Sequence, residues 1–169
     1  MKLSLNWLKD YIDPRLSVDE LVNRLTMAGL EVESVEARPK DTVIDLEVTP
    51  NRPDWLSVQG LARDIGAILQ KKVIYPSFKN YAIKKSGLRV HIEDKRDCPR
   101  YITTVLNNTT VTAGGVWANY LKSIDLRPIS NAVDITNYIL MDMGQPLHVF
   151  DYDKITGGHV FVRRAKTGE

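Results

Sequence analysis

RPISNAVDITNYILMDMGQPLHVFD, residues Arg127 to Asp151, is the stretch on which the reading of this 169-residue chain turns. Arg-Pro at its start biases Arg127 away from helical backbone and sets a boundary. Ser130 then offers a hydroxyl to a backbone N–H that the first turn of a helix leaves unpaired. From Asn131 to Met143 the apolar residues Ala132, Val133, Ile135, Ile139, Leu140 and Met143 recur at roughly helical spacing, which predicts their burial. Gly144 is placed to end the helix in a left-handed conformation, and Gln145-Pro146 turns the chain toward His148. Asp134, Thr136, Asn137, Gln145, His148 and Asp151 are threaded through this apolar pattern. Buried polar groups cost free energy unless paired, so their density points to a site. Each also has a plainer reading: a lone histidine in a core, a solvated helix face, or a threonine bonded back to a carbonyl one turn earlier.

Size and composition bound the rest. The chain can hold one or two small domains with real cores. Its apolar share of 43% and charged share of 26% are ordinary for a globular protein. A net charge of +2 is too small to announce a nucleic-acid binder by itself. Cys98 stands alone, so no internal disulfide framework is expected, in keeping with a reducing, cytoplasmic setting. No apolar run nears the ~20 residues that span a bilayer, and the N-terminus lacks a signal peptide's apolar core, so no membrane association is expected. His91, His148 and His159 are too scattered for a metal site, and none is assigned.

Taken in order, Ser4 is read as the cap of a short helix to Tyr11, and Ser17-Val18-Asp19-Glu20 as a capping box in which Glu20 reaches back to the helix start. Leu21, Val22, Leu25 and Ala28 supply a buried face that Gly29 closes. Residues 30–37 and 42–49 read as two strands joined by Arg38-Pro39-Lys40-Asp41. Thr49-Pro50-Asn51-Arg52-Pro53-Asp54 is a rigid loop in which Asp54 can cap a helix running from Trp55 to about Leu69, with Leu56 buried. Arg52 is assigned to pinning this loop, with Asp54 as a partner, ahead of clamping a ligand anion. Residues 71–85, KKVIYPSFKNYAIKK, are basic with interleaved aromatics and are read as a linker; a single-strand nucleic-acid platform is the other reading. Beyond it, residues 88–93, 101–106, 109–111 and 159–164 read as strands, and 116–124 as a helix whose stripe includes Val116 and Trp117. His159 is placed at the surface.

Three stretches together carry a resemblance. RPISNAVDITNYILMDMGQPLHVFDYDKI with VRRAKTGE is similar to the start of the editing domain in bacterial phenylalanyl-tRNA synthetase beta subunits. DLEVTPNRPDWLSVQGLARDIGAI resembles the segment before that domain, and MKLSLNWLKDYID with LTMAGLEVE the subunit's N-terminus. The resemblance implies an α+β fold: a helix–helix–hairpin–helix module over residues 1–70, a linker over 71–85, and part of the mixed α/β editing domain over 86–169. It departs from the family in lacking the oligonucleotide-fold insertion that commonly separates the two hairpin strands, and it implies that the editing domain continues past Glu169. The split domain predicts self-association through exposed strand edges.

The function implied is the N-terminal portion of the beta subunit, serving subunit assembly and tRNA placement, with an incomplete site for hydrolysing tyrosine from tRNA(Phe). Implied partners are the synthetase alpha subunit and tRNA(Phe). ATP and Mg2+ belong to the full ligase, whose adenylation site lies on the alpha subunit; no cofactor is assigned to this stretch. By position in the motif, Thr136, Asn137 and His148 match residues lining the family's editing pocket: His148 to orient water or the ribose, Thr136 and Asn137 to hydrogen-bond the ester. Arg127 and Gln145 are the further ester- or tRNA-binding candidates. The chain is read as non-catalytic alone. Two alternatives stand: a residual ester hydrolase completed by self-association, and a winged-helix-like nucleic-acid binder formed by the first 70 residues.

Overall fold

The computed structural model describes residues 1–169. The chain is mixed α/β, and its contacts divide it into two compact units that interleave in sequence: residues 1–78 with 111–148, and residues 79–110 with 149–169. The expected serial division at 70 and 85 does not follow these units. Residues 111–148 pack with the N-terminal part because α5 (Asn131–Met143) is tied to the first helix, as described below.

The first unit opens with a strand too short to show periodicity, β1 (Lys2–Ser4), followed by α1 (Leu5–Leu8), α2 (Val18–Met27), β2 (Val32–Arg38) and β3 (Asp41–Leu46). The strands form one antiparallel sheet in the order β1-β3-β2, with Leu3 opposite Ile44 and Ile44 opposite Val35. Central β3 buries Val43, Ile44 and Leu46, residues that point to both faces of the sheet. Edge strand β2 is largely exposed and carries charge, which discourages pairing with another chain. Ser4 and Ser17 cap their helices through the N–H groups of Trp7 and Glu20. Glu20 does not complete a capping box; its carboxylate accepts from Arg24 one turn on. Lys40, in the left-handed region at φ 67°, makes the tight β2–β3 turn.

The loop before α3 (Val58–Leu69) differs from expectation. A 3-10 turn occupies Pro53–Trp55, and Ser57, not Asp54, caps α3 by accepting from the Gly60 N–H at 3.0 Å. Leu56 is thereby left outside the core, 52% exposed. The turn lies so close to α3 that a Cβ on Gly60 would sit 1.8 Å from the Asp54 carbonyl oxygen. Val58, Leu61, Ala62 and Ile65 then pack into one core with Leu3, Leu8, Leu21, Leu25 and Leu46.

In the second unit β4 (Arg89–Ile92) and β5 (His159–Val162) pair in parallel, His91 opposite Phe161. Residues 101–106 and 109–111, expected as strands, form no regular structure and pair with neither sheet. Back in the first unit, α4 (Trp117–Ser123) buries Ala118 and Leu121, while Val116 precedes it and is 68% exposed. No helix is long and apolar enough to cross a membrane.

Candidate functional site

α5 has the predicted ends. Ser130 accepts from the Val133 N–H, and Gly144, at φ 74°, closes the helix with its N–H on the Leu140 carbonyl. Its buried face departs in part from the apolar reading, which holds only as far as half-burial of Ala132, Val133 and Ile139. Asp134 and Asp142 are its two buried residues, 1% and 5% exposed, whereas Ile135, Leu140 and Met143 lie 39–42% exposed. The inward stripe is Asp134, Tyr138, Met141 and Asp142, spaced three, four and seven or eight apart along one side of the helix.

Each acid is buried against specific donors. The Asp134 carboxylate accepts from the Ile129 N–H at 2.7 Å and so holds the turn that leads into α5. Asp142 accepts from Trp7 Nε1 at 2.9 Å and from Tyr11 Oη at 2.6 Å, both on buried side chains of the first helical segment. Around that contact Trp7 stacks on Tyr138 at 5.0 Å and meets Tyr120 edge-on at 5.1 Å, while Trp117 packs against Tyr138 at 4.5 Å. Burial raises the Asp142 carboxyl's pKa, and the Tyr11 and Trp7 hydrogen bonds offset only part of that. Burial, then the hydrogen bond to Asp142, pushes the Tyr11 phenol up in turn. Trp7, Tyr11 and Asp142 were not singled out from sequence. Trp7 and Asp142 stand 135 residues apart, and no local pattern links them.

The residues matched to the editing pocket lie on and around this anchored helix. Thr136 and Asn137 are adjacent and half-buried on α5; the Thr136 hydroxyl donates to the Val133 carbonyl at 2.7 Å, so its proton is held within the helix. Gln145 and His148 follow Gly144 on an exposed segment, with Gln145 Nε2 donating to the Pro146 carbonyl at 3.4 Å. Arg127 is exposed ahead of the helix. Asp151 belongs to the second unit, where its side chain accepts from the Asp153 N–H and caps a 3-10 turn.

A second cluster fixes the loop before α3. Arg52 donates through Nε and Nη2 to both oxygens of Asp54, at 3.0 and 2.8 Å, and also to Asp64, while its guanidinium lies 3.5 Å over the Trp55 ring. Trp55 Nε1 donates to Asp64 at 2.7 Å, and Arg63 bridges Asp54 and Asp64 from outside. The guanidinium of Arg52 lowers the Asp54 carboxyl's pKa. Burial opposes the charge on Asp64, but the Trp55 N–H and the two arginines outweigh it and hold that carboxyl low as well. Asp64 was not foreseen as a member. Beside this cluster lies an open pocket of about 410 Å³, lined by Asp54, Ser57, Gln59, Arg63, Tyr75 and Gly144 among others. No group of three or more His, Cys, Asp or Glu side chains is arranged to hold a metal ion.

Residues 97–169 match the B3/4 domain family, so the C-terminal part of this mixed α/β chain is of the B3/4 class. The full chain is 40% identical, over 173 aligned residues, to the phenylalanine–tRNA ligase beta subunit of Rhodopirellula baltica, of which the match covers 25%. The beta subunit of Chlorobaculum tepidum is 44% identical over 124 residues, covering 73% of this chain and 15% of that protein. That of Geobacter metallireducens is 42% identical over 134 residues, 77% of this chain and 17% of that subunit. The chain is homologous to phenylalanine–tRNA ligase beta subunits and matches a fragment of that subunit. It spans about a quarter or less of the length of these relatives. The Rhodopirellula match takes in all 169 residues within 173 aligned positions, which leaves no room for a domain-sized insertion at the β2–β3 turn in that relative either.

Proposed function

We propose that this chain serves the assembly of phenylalanine–tRNA ligase and the placement of tRNA(Phe), and that it does not hydrolyse Tyr-tRNA(Phe) by itself. The match over residues 97–169 supports reading 86–169 as inherited editing-domain sequence, behind an N-terminal module (1–70) and a linker (71–85). One observation carries the functional reading: anchoring of α5 through Asp142 turns its inward stripe to the N-terminal helices and leaves Ile135, Leu140 and Met143 outward. That outer face is suited to burial against another chain, either the alpha subunit or a second copy. Gln145 and His148, meanwhile, face water, and the Thr136 hydroxyl is committed to its own helix. Ester hydrolysis needs donors preorganised around the developing charge in a site that excludes bulk water. In the complete subunit His148 would orient the attacking water or the ribose, with Thr136 and Asn137 on the ester and Arg127 and Gln145 at the tRNA. ATP and Mg2+ would act at the alpha subunit's adenylation site, and the assembly would be cytoplasmic.

Mixing the chain with alpha subunit and measuring mass by light scattering on a sizing column tests assembly. A mixed complex is expected, and strictly separate monomers of both proteins would refute it. Catalytic release of tyrosine from Tyr-tRNA(Phe) by the chain alone, abolished by His148→Ala, would establish the residual hydrolase instead. A second reading draws on one observation, since the strand order β1-β3-β2 with two helices after β1 is the topology of a winged helix. Against it, the first turn of α2 carries Asp19 and Glu20, and Arg24 is spent on Glu20. Duplex DNA binding lost on reversing the charge of Arg24 or Lys40 would favour that reading.

A further inference from the structure

Away from α5 and the editing candidates, an open pocket of about 400 Å³ lies between the loop joining α1 to α2 and the β2–β3 turn. Its lining falls wholly within residues 5–42. The floor is apolar: Leu5, Leu16 and Val18 are half-buried there and Leu21 is buried. The rim is cationic, with Lys9 and Arg15 on one side and Arg38 and Lys40 on the other, against Asp13 and Asp41. Both acids are already engaged. Asp41 accepts from the Ser4 hydroxyl at 2.6 Å and from the N–H groups of Asn6 and Thr42 at 3.1 and 2.8 Å. Asp13 accepts from the Arg15 N–H and pairs with the Arg15 guanidinium at 3.6 Å, while Arg38 is taken by Glu36 and Asp125. Lys9 and Lys40 remain, exposed and in no ion pair.

The two sides are fixed before anything binds. Asn6 Nδ2 donates to the Lys40 carbonyl, and Lys71 Nζ donates to the Asp13 carbonyl at 3.3 Å. Arg15 and Lys40, at φ 52° and 67°, hold the left-handed backbone that non-glycine residues rarely adopt. Nothing in the fold uses the Lys40 ammonium, and glycine would fit its backbone with less strain, so the side chain points to a function at the rim.

We propose that this groove docks an acidic peptide segment of a partner protein that carries leucine or phenylalanine, with the apolar side chains on the floor of Leu5, Leu16 and Val18 and the carboxylates on Lys9 and Lys40. Charge complementarity selects the acid: the rim offers two ammoniums free of any carboxylate, beside acids that already have donors. A nucleic-acid backbone fits less well. Phosphate gains nothing from an apolar floor, and Asp13, Asp41 and, at the start of α2, Asp19 and Glu20 oppose a dense line of negative charge. The groove is separate from the outer face of α5, so it goes beyond the assembly reading and does not rest on it.

The test is fluorescence anisotropy of a labelled, end-capped peptide in which two glutamates flank leucine and phenylalanine, titrated with the full chain. Expected is saturable binding that weakens at least about fivefold when glutamine replaces both glutamates, as two exposed ion pairs would give. Serine in place of leucine and phenylalanine is expected to weaken it about tenfold or more. Lys9→Gln with Lys40→Gly is expected to bring the fivefold loss while circular dichroism stays unchanged, since glycine suits the turn. Lys9→Glu, which leaves the turn untouched, should give a loss of its own. Lys84→Gln with Lys85→Gln removes the same charge from an exposed segment outside the groove and should leave binding intact. No binding of the parent peptide overturns the proposal, as does indifference to glutamine, to serine or to the Lys9 and Lys40 variants, or an equal loss from the Lys84 and Lys85 pair. Displacement of the peptide by duplex DNA overturns it in favour of the nucleic-acid reading of Lys40. Each of these failures leaves the alpha-subunit test standing, and failure of that test leaves this one standing.

Discussion

Replacing Asp142 separates the two roles that a buried carboxylate can have. The side chain is 5% exposed and accepts from Trp7 Nε1 and Tyr11 Oη, themselves 1% and 2% exposed. Asp142→Ala strands both donors in the interior, and each costs about 1–3 kcal/mol when left unpaired. Relief of the carboxylate's own burial returns part of that, as the upward shift of its pKa requires, so the net loss is about 2–4 kcal/mol. Asp142→Asn behaves differently. Its amide oxygen can take the Trp7 N–H while its NH2 donates to the Tyr11 oxygen, because a phenol can accept as well as donate. About 1 kcal/mol or less is expected for Asn. Urea unfolding followed by tryptophan fluorescence reads both, since Trp7 lies in the contact. An Asp142→Ala loss below 1 kcal/mol, or an Asn variant as damaged as Ala, would refute the pairing.

The pH dependence supplies a second reading of the same site. The Asp142 carboxyl is raised in the folded state, so the folded protein keeps this proton to higher pH than the unfolded chain does. Its contribution is therefore fully present below the unfolded carboxyl pKa of about 3.9 and is lost as pH rises through the folded value. Asn has no such titration. The stability of wild type minus that of Asp142→Asn should thus fall as pH rises from about 4 toward neutrality. A difference that grows over that range would mean that the two donors outweigh burial and hold the carboxylate charged.

Further outcomes follow from the geometry. Gly60→Ala forces a Cβ to within 1.8 Å of the Asp54 carbonyl oxygen, so the Pro53–Trp55 turn must move; a loss of about 3 kcal/mol is expected by urea unfolding, while Ala at Gly87, where an added Cβ would meet only the Tyr152 hydroxyl at 3.5 Å, serves as the control. Burial raises the phenols of Tyr11 and Tyr138 and pushes that of Tyr120 up to about 12. Stability is then intact below pH ~10 and lost above it as the unfolded phenols ionise first, so phenolate absorbance should develop together with loss of the circular-dichroism signal. Phenolate from these three appearing before unfolding would contradict their packing. Arg52→Lys removes the two-pronged contact with Asp54 and the stacking on Trp55 while keeping charge; a lower melting temperature and faster proteolysis in residues 50–57 are expected, and wild-type behaviour would show that charge alone suffices.

The parts of the fold that sequence discloses are those settled within a few residues. Ser130 and Gly144 bound α5 because capping chemistry is local, and the same holds for Ser17 and for the hairpin around Lys40. β1 escapes notice because three residues cannot establish a period, and its pairing with β3 is a contact more than 35 residues distant. Residues 101–106 show the converse: β-branched and aromatic composition makes a strand available, but it becomes one only on pairing with a neighbour, and these residues pair with neither sheet.

The same division explains what the polar residues of α5 meant. Their density within an apolar pattern marked the stretch as a site, on the ground that buried polar groups must be paired. One of them, Asp134, is indeed buried, but with the fold: one carboxylate oxygen accepts from the turn that starts the helix and the other has no partner, while Asp142, which the pattern did not single out, is buried against Trp7 and Tyr11. Periodicity placed Ile135, Leu140 and Met143 in the inward stripe together with Ala132, Val133 and Ile139, which are half-buried, because it weighs side chains by transfer free energy and cannot see donors supplied from elsewhere in the chain. Once those donors exist, the acids can turn inward and the apolar side chains face out. The residues of the proposed chemistry are half-buried Thr136 and Asn137 and exposed Gln145 and His148, beside an apolar surface that, on the proposed assembly reading, a partner chain would bury. If that surface is an assembly face, covering it should also dry the ground on which His148 stands. Leu140→Asp should then abolish the complex with the alpha subunit while the chain stays folded by circular dichroism, since Leu140 lies outside the hydrophobic core. An unaltered complex would place the interface elsewhere.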